Sequence, residues 1–136
     1  MVVAYFVPEV GSAAHLYFDL SRALVRMGHE VHVITTYPRD FNLPMENDGE
    51  VPINEEIEGI IIHRVIYNNY RDSIFLRGIE HYTLWRKYLQ RALDLKIEFD
   101  SCIIYLPPLS LAKFSRELFK EMGVKSILNF QDFHPQ

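Results

Sequence analysis

Residues 5–36 constrain the fold more than any other stretch, because they read as strand, tight turn, amphipathic helix and strand in quick succession. Residues 2–7 are a continuous apolar run that stops at Pro8, the pattern of a strand covered on both faces of a parallel sheet. Ser12 stands where an N-cap belongs. Leu16, Leu20, Ala23, Leu24 and Met27 then recur at helical spacing. Gly28 offers the left-handed position that ends a helix, and residues 31–35 are rich in β-branched side chains. A strand-helix-strand unit of this kind joins parallel strands through a right-handed crossover.

The construction recurs downstream. Gly59 opens a third strand over residues 60–65. Residues 73–97 read as a long helix with two apolar stripes, one through Tyr82, Trp85, Leu89, Ala92 and Leu93, the other through Leu84, Tyr88 and Leu95. Residues 101–106 form a fourth strand. Pro107-Pro108 begins a helix, since proline is tolerated in a first turn. That helix carries a stripe of Leu111, Ser115, Leu118, Phe119 and Met122 and ends at Gly123. Residues 124–130 make a fifth strand. The alternation predicts one α/β domain over residues 1–136, a Rossmann-like doubly wound parallel sheet in the order 3-2-1-4-5 with helices on both faces. This order sets the carboxyl ends of the first and fourth strands side by side, where open α/β sheets bind ligands. The loops there begin at Pro8 and Pro107.

Two segments break the pattern. Residues 37–58 read as a long loop, with Pro38, Pro44 and Pro52 and, from position 40 to 58, seven acidic residues and no basic one. Loops of this length are lids, disordered segments or solvated connections. Asn68-Asn69-Tyr70 is turn-like. The long helix is basic instead, with six basic against three acidic residues from position 71 to 96. Arg77, Trp85, Arg86, Tyr88 and Arg91 suit either an anionic membrane surface or a solvated face.

Charge and cysteine content narrow the function classes. A formal charge of −4 argues against a dedicated nucleic-acid binder. The lone Cys102 lies in an apolar run and has no intramolecular disulfide partner. The first apolar run lacks a basic leader and is too short to span a membrane, so a cytoplasmic domain is expected.

The chemistry-bearing residues fall at the strand ends. The first turn reads Pro8-Glu9-Val10-Gly11-Ser12, with one glycine instead of Gly-x-Gly-x-x-Gly, and the second strand ends Thr35-Thr36-Tyr37 without an acidic residue. Both parts of the dinucleotide signature are missing, and no P-loop is present. A helix starting at Ser12 still presents backbone N–H groups to a phosphate. His15, one helical turn on, can meet an anion when protonated or stand as an ordinary surface histidine. None of the six histidines pairs at i, i+4, so no metal site is expected; His29 and His32, flanking a strand, read as structural. Asp132, after the fifth strand, suits either proton transfer and sugar orientation or the capping of a turn. No Gly-x-Ser-x-Gly elbow and no Asp-x-Asp pair occurs.

Four segments together resemble the N-terminal domain of a family 4 retaining glycosyltransferase with the GT-B fold. They are Phe6-Val7-Pro8-Glu9-Val10-Gly11-Ser12-Ala13-Ala14, the run from Leu24 through Arg26-Met27-Gly28-His29-Glu30-Val31 to Thr35, Phe99-Asp100-Ser101-Cys102-Ile103-Ile104, and Asp132-Phe133-His134-Pro135. The last is similar to a motif of the subgroup that builds cell-envelope polysaccharides, with His134 in place of the common Trp. The resemblance implies a metal-free transferase that moves a sugar from a nucleotide-sugar to a glycan or lipid-linked acceptor with retention. It implies that Gly11 and Ser12 approach the donor diphosphate, Ser12 replacing a glycine. It implies His15 as a phosphate or acceptor contact and Asp132 as the catalytic residue. No cofactor is implied, the nucleotide-sugar being a substrate held mainly by a C-terminal donor domain absent from residues 1–136. The chain alone is then expected to be inactive. It is expected to be cytoplasmic, at the inner face of the membrane where the helix around residues 75–97 makes contact, and to bind no nucleic acid.

Rival readings keep the fold and change the role. One is a stand-alone flavodoxin-like binding or regulatory module, although the strand ends lack an acidic cluster. Another is a nucleotide-sugar epimerase, for which the glycine fingerprint and a Tyr-x-x-x-Lys pair are missing. A third is the acceptor subunit of a split glycosyltransferase.

Overall fold

The computed structural model describes residues 1–38, 51–66 and 74–131. In chain order its elements are α1 (Ser12–Arg26), β1 (Val31–Thr36), β2 (Asn54–Ile57), β3 (Ile60–Val65), α2 (Ile74–Asp94), β4 (Ser101–Leu106), α3 (Ser110–Met122) and β5 (Lys125–Phe130). The chain is α/β, as the alternation of periods predicts.

The expected sheet order is corrected. The regular ladders are a three-stranded sheet, β1-β3-β2, and a two-stranded sheet, β4-β5, in place of five parallel strands in the order 3-2-1-4-5. β1 and β3 pair in parallel, as do β4 and β5, whereas β2 runs antiparallel to β3. The expected first strand over residues 2–7 shrinks to a bridge at Val2, which pairs with both Ile34 and Ile104. Val2 N–H donates to Ile103 O at 2.8 Å and Val3 N–H to Ile34 O at 3.1 Å. Beyond that point side chains take the carbonyls that a longer ladder would use. Tyr88 Oη donates to Val3 O at 2.9 Å and Thr36 Oγ1 to Ala4 O at 2.6 Å. The chain then turns, with Glu9 N–H on Phe6 O at 3.0 Å.

The segment over residues 37–58 is not all loop as expected, because it contains β2. Glu58 and Gly59 join β2 to β3 with φ of 51° and 78°. Two positive φ angles in a two-residue loop suit the twist of a hairpin. Glu58 also forms a 2.7 Å ion pair with Arg22 Nε of α1. Residues 39–50, with much of the acidic cluster, and the Asn68-Asn69-Tyr70 turn lie outside the described residues.

Alternation along the strands sends side chains to opposite faces. Val33, Ile60, Ile62 and Tyr105 pack with Tyr17 under α1. Ile34, Val65, Ile104 and Leu106 pack with Tyr88 and Phe114 under α2 and α3. Helices therefore cover both faces. The stripes themselves are rotated from expectation. α1 buries Ala14, Tyr17 and Ser21, leaving Leu16 and Met27 49% and 73% exposed. The two polar residues can be buried because they are bonded: Ser21 Oγ donates to Tyr17 O at 2.7 Å, and Asn129 Nδ2 donates to Tyr17 Oη at 2.8 Å. α2 draws its buried face from both expected stripes (Leu84, Trp85, Tyr88, Ala92) and leaves Tyr82 exposed; α3 buries Phe114 and exposes Phe119. α1 closes as expected: with Gly28 at φ 91°, Gly28 N–H reaches Val25 O at 2.9 Å and His29 N–H reaches Leu24 O at 3.1 Å, the paired bonds of a Schellman end. No helix among the described residues is long and apolar enough to cross a membrane.

Candidate functional site at the carboxyl edge of the sheet

Parallel pairing of Val2 with β1 and β4 places the loop after the N-terminal segment at the carboxyl edge of those strands. α1 starts there. Its N-cap is Gly11, not Ser12, and no side chain caps the helix. Ser12 lies inside the first turn instead, where its hydroxyl cannot act as a cap for the residues that follow. His15 N–H is bonded to Gly11 O at 3.1 Å. The N–H groups of the first turn point outward from such a start and favour negative charge. Gly11, Ser12 and His15 are all exposed. A Cβ built on Gly11 would meet no atom within 4 Å, so the approach to the helix start is open. The structure thus brings these three residues together. Asp132 and His134 lie outside the described residues.

Sequence reasoning missed the residue that underlies this loop. Arg64 sits on β3 with 2% exposure. Its Nη2 donates to Val7 O at 2.9 Å and its Nε to Pro52 O at 3.1 Å, and Nη2 also pairs with the Glu55 carboxylate. One buried guanidinium therefore ties the first loop to the segment entering β2. Arg64 Nη1 and the Thr35 hydroxyl are buried and lack hydrogen-bond partners among the described residues. Glu9 is also buried, at 2% exposure. The signal was an arginine inside the apolar run Ile60-Ile61-Ile62-His63-Arg64-Val65, a position that a buried strand rarely gives to an unpaired charge.

A second chain of bonds closes the same edge. Gln131 Nε2 donates to Asn129 Oδ1 at 3.1 Å, and Asn129 bonds the Tyr17 hydroxyl. Burial raises the Tyr17 phenol above its ordinary range, against the lowering effect of the Asn129 bond, so it stays neutral. The backbone of Gln131 is fixed by its N–H on Leu106 O at 3.2 Å. The residue before Asp132 is in this way tethered to the end of β4.

Among the described residues no group of three or more His, Cys, Asp or Glu side chains is arranged for a metal ion. Two histidines do meet, however. His32, expected to be merely structural, lies beside His63 on the next strand at the amino end of the sheet, with 3.0 Å between ring nitrogens. A cleft of about 630 Å³ opens at that end, lined in part by His29, Glu30, His32, Glu98 and Asp100.

No protein-family profile matches the chain, and no curated protein matches it. Among solved structures, the C-terminal domain of a hydrogenase from Pyrococcus furiosus is similar, with a TM-score of 0.58 and 15% identity over 94% of this chain and 86% of that one. At that identity the likeness concerns the fold.

Proposed function

We propose that the chain is the N-terminal, acceptor-side domain of a retaining GT-B glycosyltransferase, acting on a nucleotide-sugar donor and a glycan or lipid-linked acceptor. The observation that carries this reading is the open start of α1 at Gly11, held at the carboxyl edge by Arg64 through Val7 O. Backbone N–H groups at the start of a 15-residue helix form a site for a phosphate. Gly11 and Ser12 would then meet the donor diphosphate and His15 a phosphate or the acceptor. The carboxylate of Asp132, one residue beyond the tethered Gln131, would face the reacting sugar. The reading treats the two ladders as one doubly wound sheet, with the N-terminal segment between β1 and β4. Its support is the double bridge at Val2. A cytoplasmic place and a membrane contact along α2 belong to the same reading; the exposed Ile79, Tyr82 and Arg86 support the contact.

Titration of the chain with inorganic pyrophosphate and with UDP- and GDP-sugars tests it. The expected result is amide shifts at Gly11, Ser12, Ala13 and His15, with no sugar transfer by this chain alone. Turnover by the isolated chain, or silence at those amides up to about 10 mM ligand, a weak-binding limit of about 3 kcal/mol, would remove the reading in favour of a binding module of another kind.

A further inference from the structure

His32 of β1 and His63 of β3 lie with ring planes 7° apart and centroids 5.3 Å apart. His32 Nδ1 is 3.0 Å from His63 Nε2. Both outer nitrogens have partners as well. His32 Nε2 is 2.7 Å from Glu30 Oε1, and His63 Nδ1 is 3.2 Å from Asn54 Oδ1. Asn54 faces His63 directly across the β2–β3 ladder. Its amide orientation is fixed from the other side, because Arg91 of α2 donates to the same Oδ1.

The hydrogens in this chain can be counted. A carboxylate and an amide oxygen only accept, so each outer ring nitrogen must carry a hydrogen. The contact between the rings needs one more. That makes three N–H hydrogens, and two neutral imidazoles bring one each. One ring must therefore be an imidazolium. His32 has the carboxylate of Glu30 beside it. His63 has burial, the His32 ring, Arg91 and the Met1 amino group against a charge, which lower it to about 4.

We infer that the His32–His63 pair is a one-proton latch between β1 and β3: His32 holds the charge against Glu30, His63 stays neutral with its hydrogen on Nδ1, and a second proton sets the two rings against each other and loosens β3 from β1. A hydrogen added to His63 Nε2 would face the hydrogen on His32 Nδ1, turning a bond into contact between two cations. Loss of the first proton has a milder effect. The bonds from His32 through His63 to Asn54 persist, and only the link to Glu30 is given up.

The surroundings fit this assignment. On the N-terminal segment, the Met1 amino group donates to His32 O, and burial lowers its own ionisation. From β2 comes Asn54 and from α2 comes Arg91, the cation that a charged His63 would oppose. Before β4, Glu98 and Asp100 line the cleft shared with His32. Cys102 lines a small neighbouring cavity, its thiol pushed up by burial and so neutral. Phe99 meets His32 edge-on at 5.7 Å and brings no charge. The latch also has a route to the carboxyl edge. Asn54 and His63 are followed in sequence by Glu55 and Arg64, the pair that holds Val7. Displacement of β3, which carries Arg64, would loosen that clamp.

Imidazole nitrogen NMR on the chain, from about pH 7.5 to about pH 4, spanning the histidine range, tests the assignment. At about pH 5.5, below the ordinary histidine value, His32 should carry hydrogen on both nitrogens and His63 on Nδ1 alone. In Glu30→Gln the side-chain amide can donate to His32 Nε2, so the third hydrogen is no longer required. The imidazolium fraction of His32 should then fall at least about twofold at the same pH, an order-of-magnitude expectation for losing one exposed charge partner. Amide exchange in β1 and β3 should accelerate as His63 protonates. First protonation at His63, or titration of both rings unaffected by Glu30→Gln, would overturn the charge assignment. Continued protection of β1 and β3 after His63 is charged would overturn the release.

Discussion

Arg64 Nη2 donates to the carbonyl oxygen of Val7 at 2.9 Å, across 57 residues of chain. This bond is made beneath the loop that starts α1, so a strand residue of β3 sets the position of a helix start it does not touch in sequence. The same guanidinium serves Pro52 O and Glu55. A buried cation with several acceptors stabilises only while they remain paired. Arg64→Met should therefore cost about 3 kcal/mol, because Glu55 and two carbonyls lose their donor. Arg64→Lys should recover part of it, since an ammonium cannot fork as a guanidinium does. Adding Glu55→Leu to Arg64→Met should also restore some stability. Urea unfolding of the four proteins measures this, and a single Arg64→Met variant as stable as the parent would show that the clamp contributes nothing.

The alternation of strand and helix was legible because each element carries its own period. Residues 31–35, 60–65 and 101–106 fall on β1, β3 and β4 almost to the residue. What was not legible depends on partners distant in sequence. Tyr17 and Ser21 look like the polar side of α1 until Asn129 and the α1 backbone are seen to bond them. The four residues of β2 look like loop because Asn54, Glu55 and Glu56 are polar, and an edge strand paired on one side needs no apolar run. α1 starts one residue before the position that Ser12 as an N-cap suggests. His32 and His63 lie 31 residues apart and meet only through the β1–β3 register, which sets His32 opposite Ile61 and His63 opposite Ile34. No local pattern encodes that register. Asp132, central to the sequence reading, falls beyond the described residues.

Gly59 marks a position where the turn favours glycine. Its φ is 78°, and a Cβ there would lie 3.0 Å from Val25 Cγ1 of α1. Gly59→Ala should cost about 1–2 kcal/mol, combining the left-handed strain of an alanine with the displaced valine. Gly59→Asn in the same turn should pay less backbone strain, because asparagine tolerates this region. Val25→Ala should relieve the contact and leave the strain, so the effects of Gly59→Ala and Val25→Ala should not add. Thermal or urea unfolding of the single and double variants decides it, and strict additivity would mean that the contact carries no energy.

His63 gives stability a direction with pH. Its folded value is lowered to about 4, first by burial and then by His32, Arg91 and the Met1 amino group, against about 6.5 in an unfolded chain. Between those values the unfolded chain binds a proton that the folded chain refuses. Stability from this group is thus fully present above about pH 6.5 and is lost as pH falls towards about 4, where the loss levels off. The expected slope approaches but does not exceed about 1.4 kcal/mol per pH unit, with solvent access reducing it. His63→Gln removes the titrating group while keeping a side chain able to donate to Asn54 and accept from His32. It should lower stability at pH 7 modestly, by about 1 kcal/mol for imperfect hydrogen bonds, and flatten the acid limb between about pH 6.5 and 4. Urea midpoints at several pH values across that window, for the parent and the variant, provide the comparison. Parallel curves would show that the acid sensitivity of the fold arises from carboxylates elsewhere, and not from a neutral histidine held between β2 and α2.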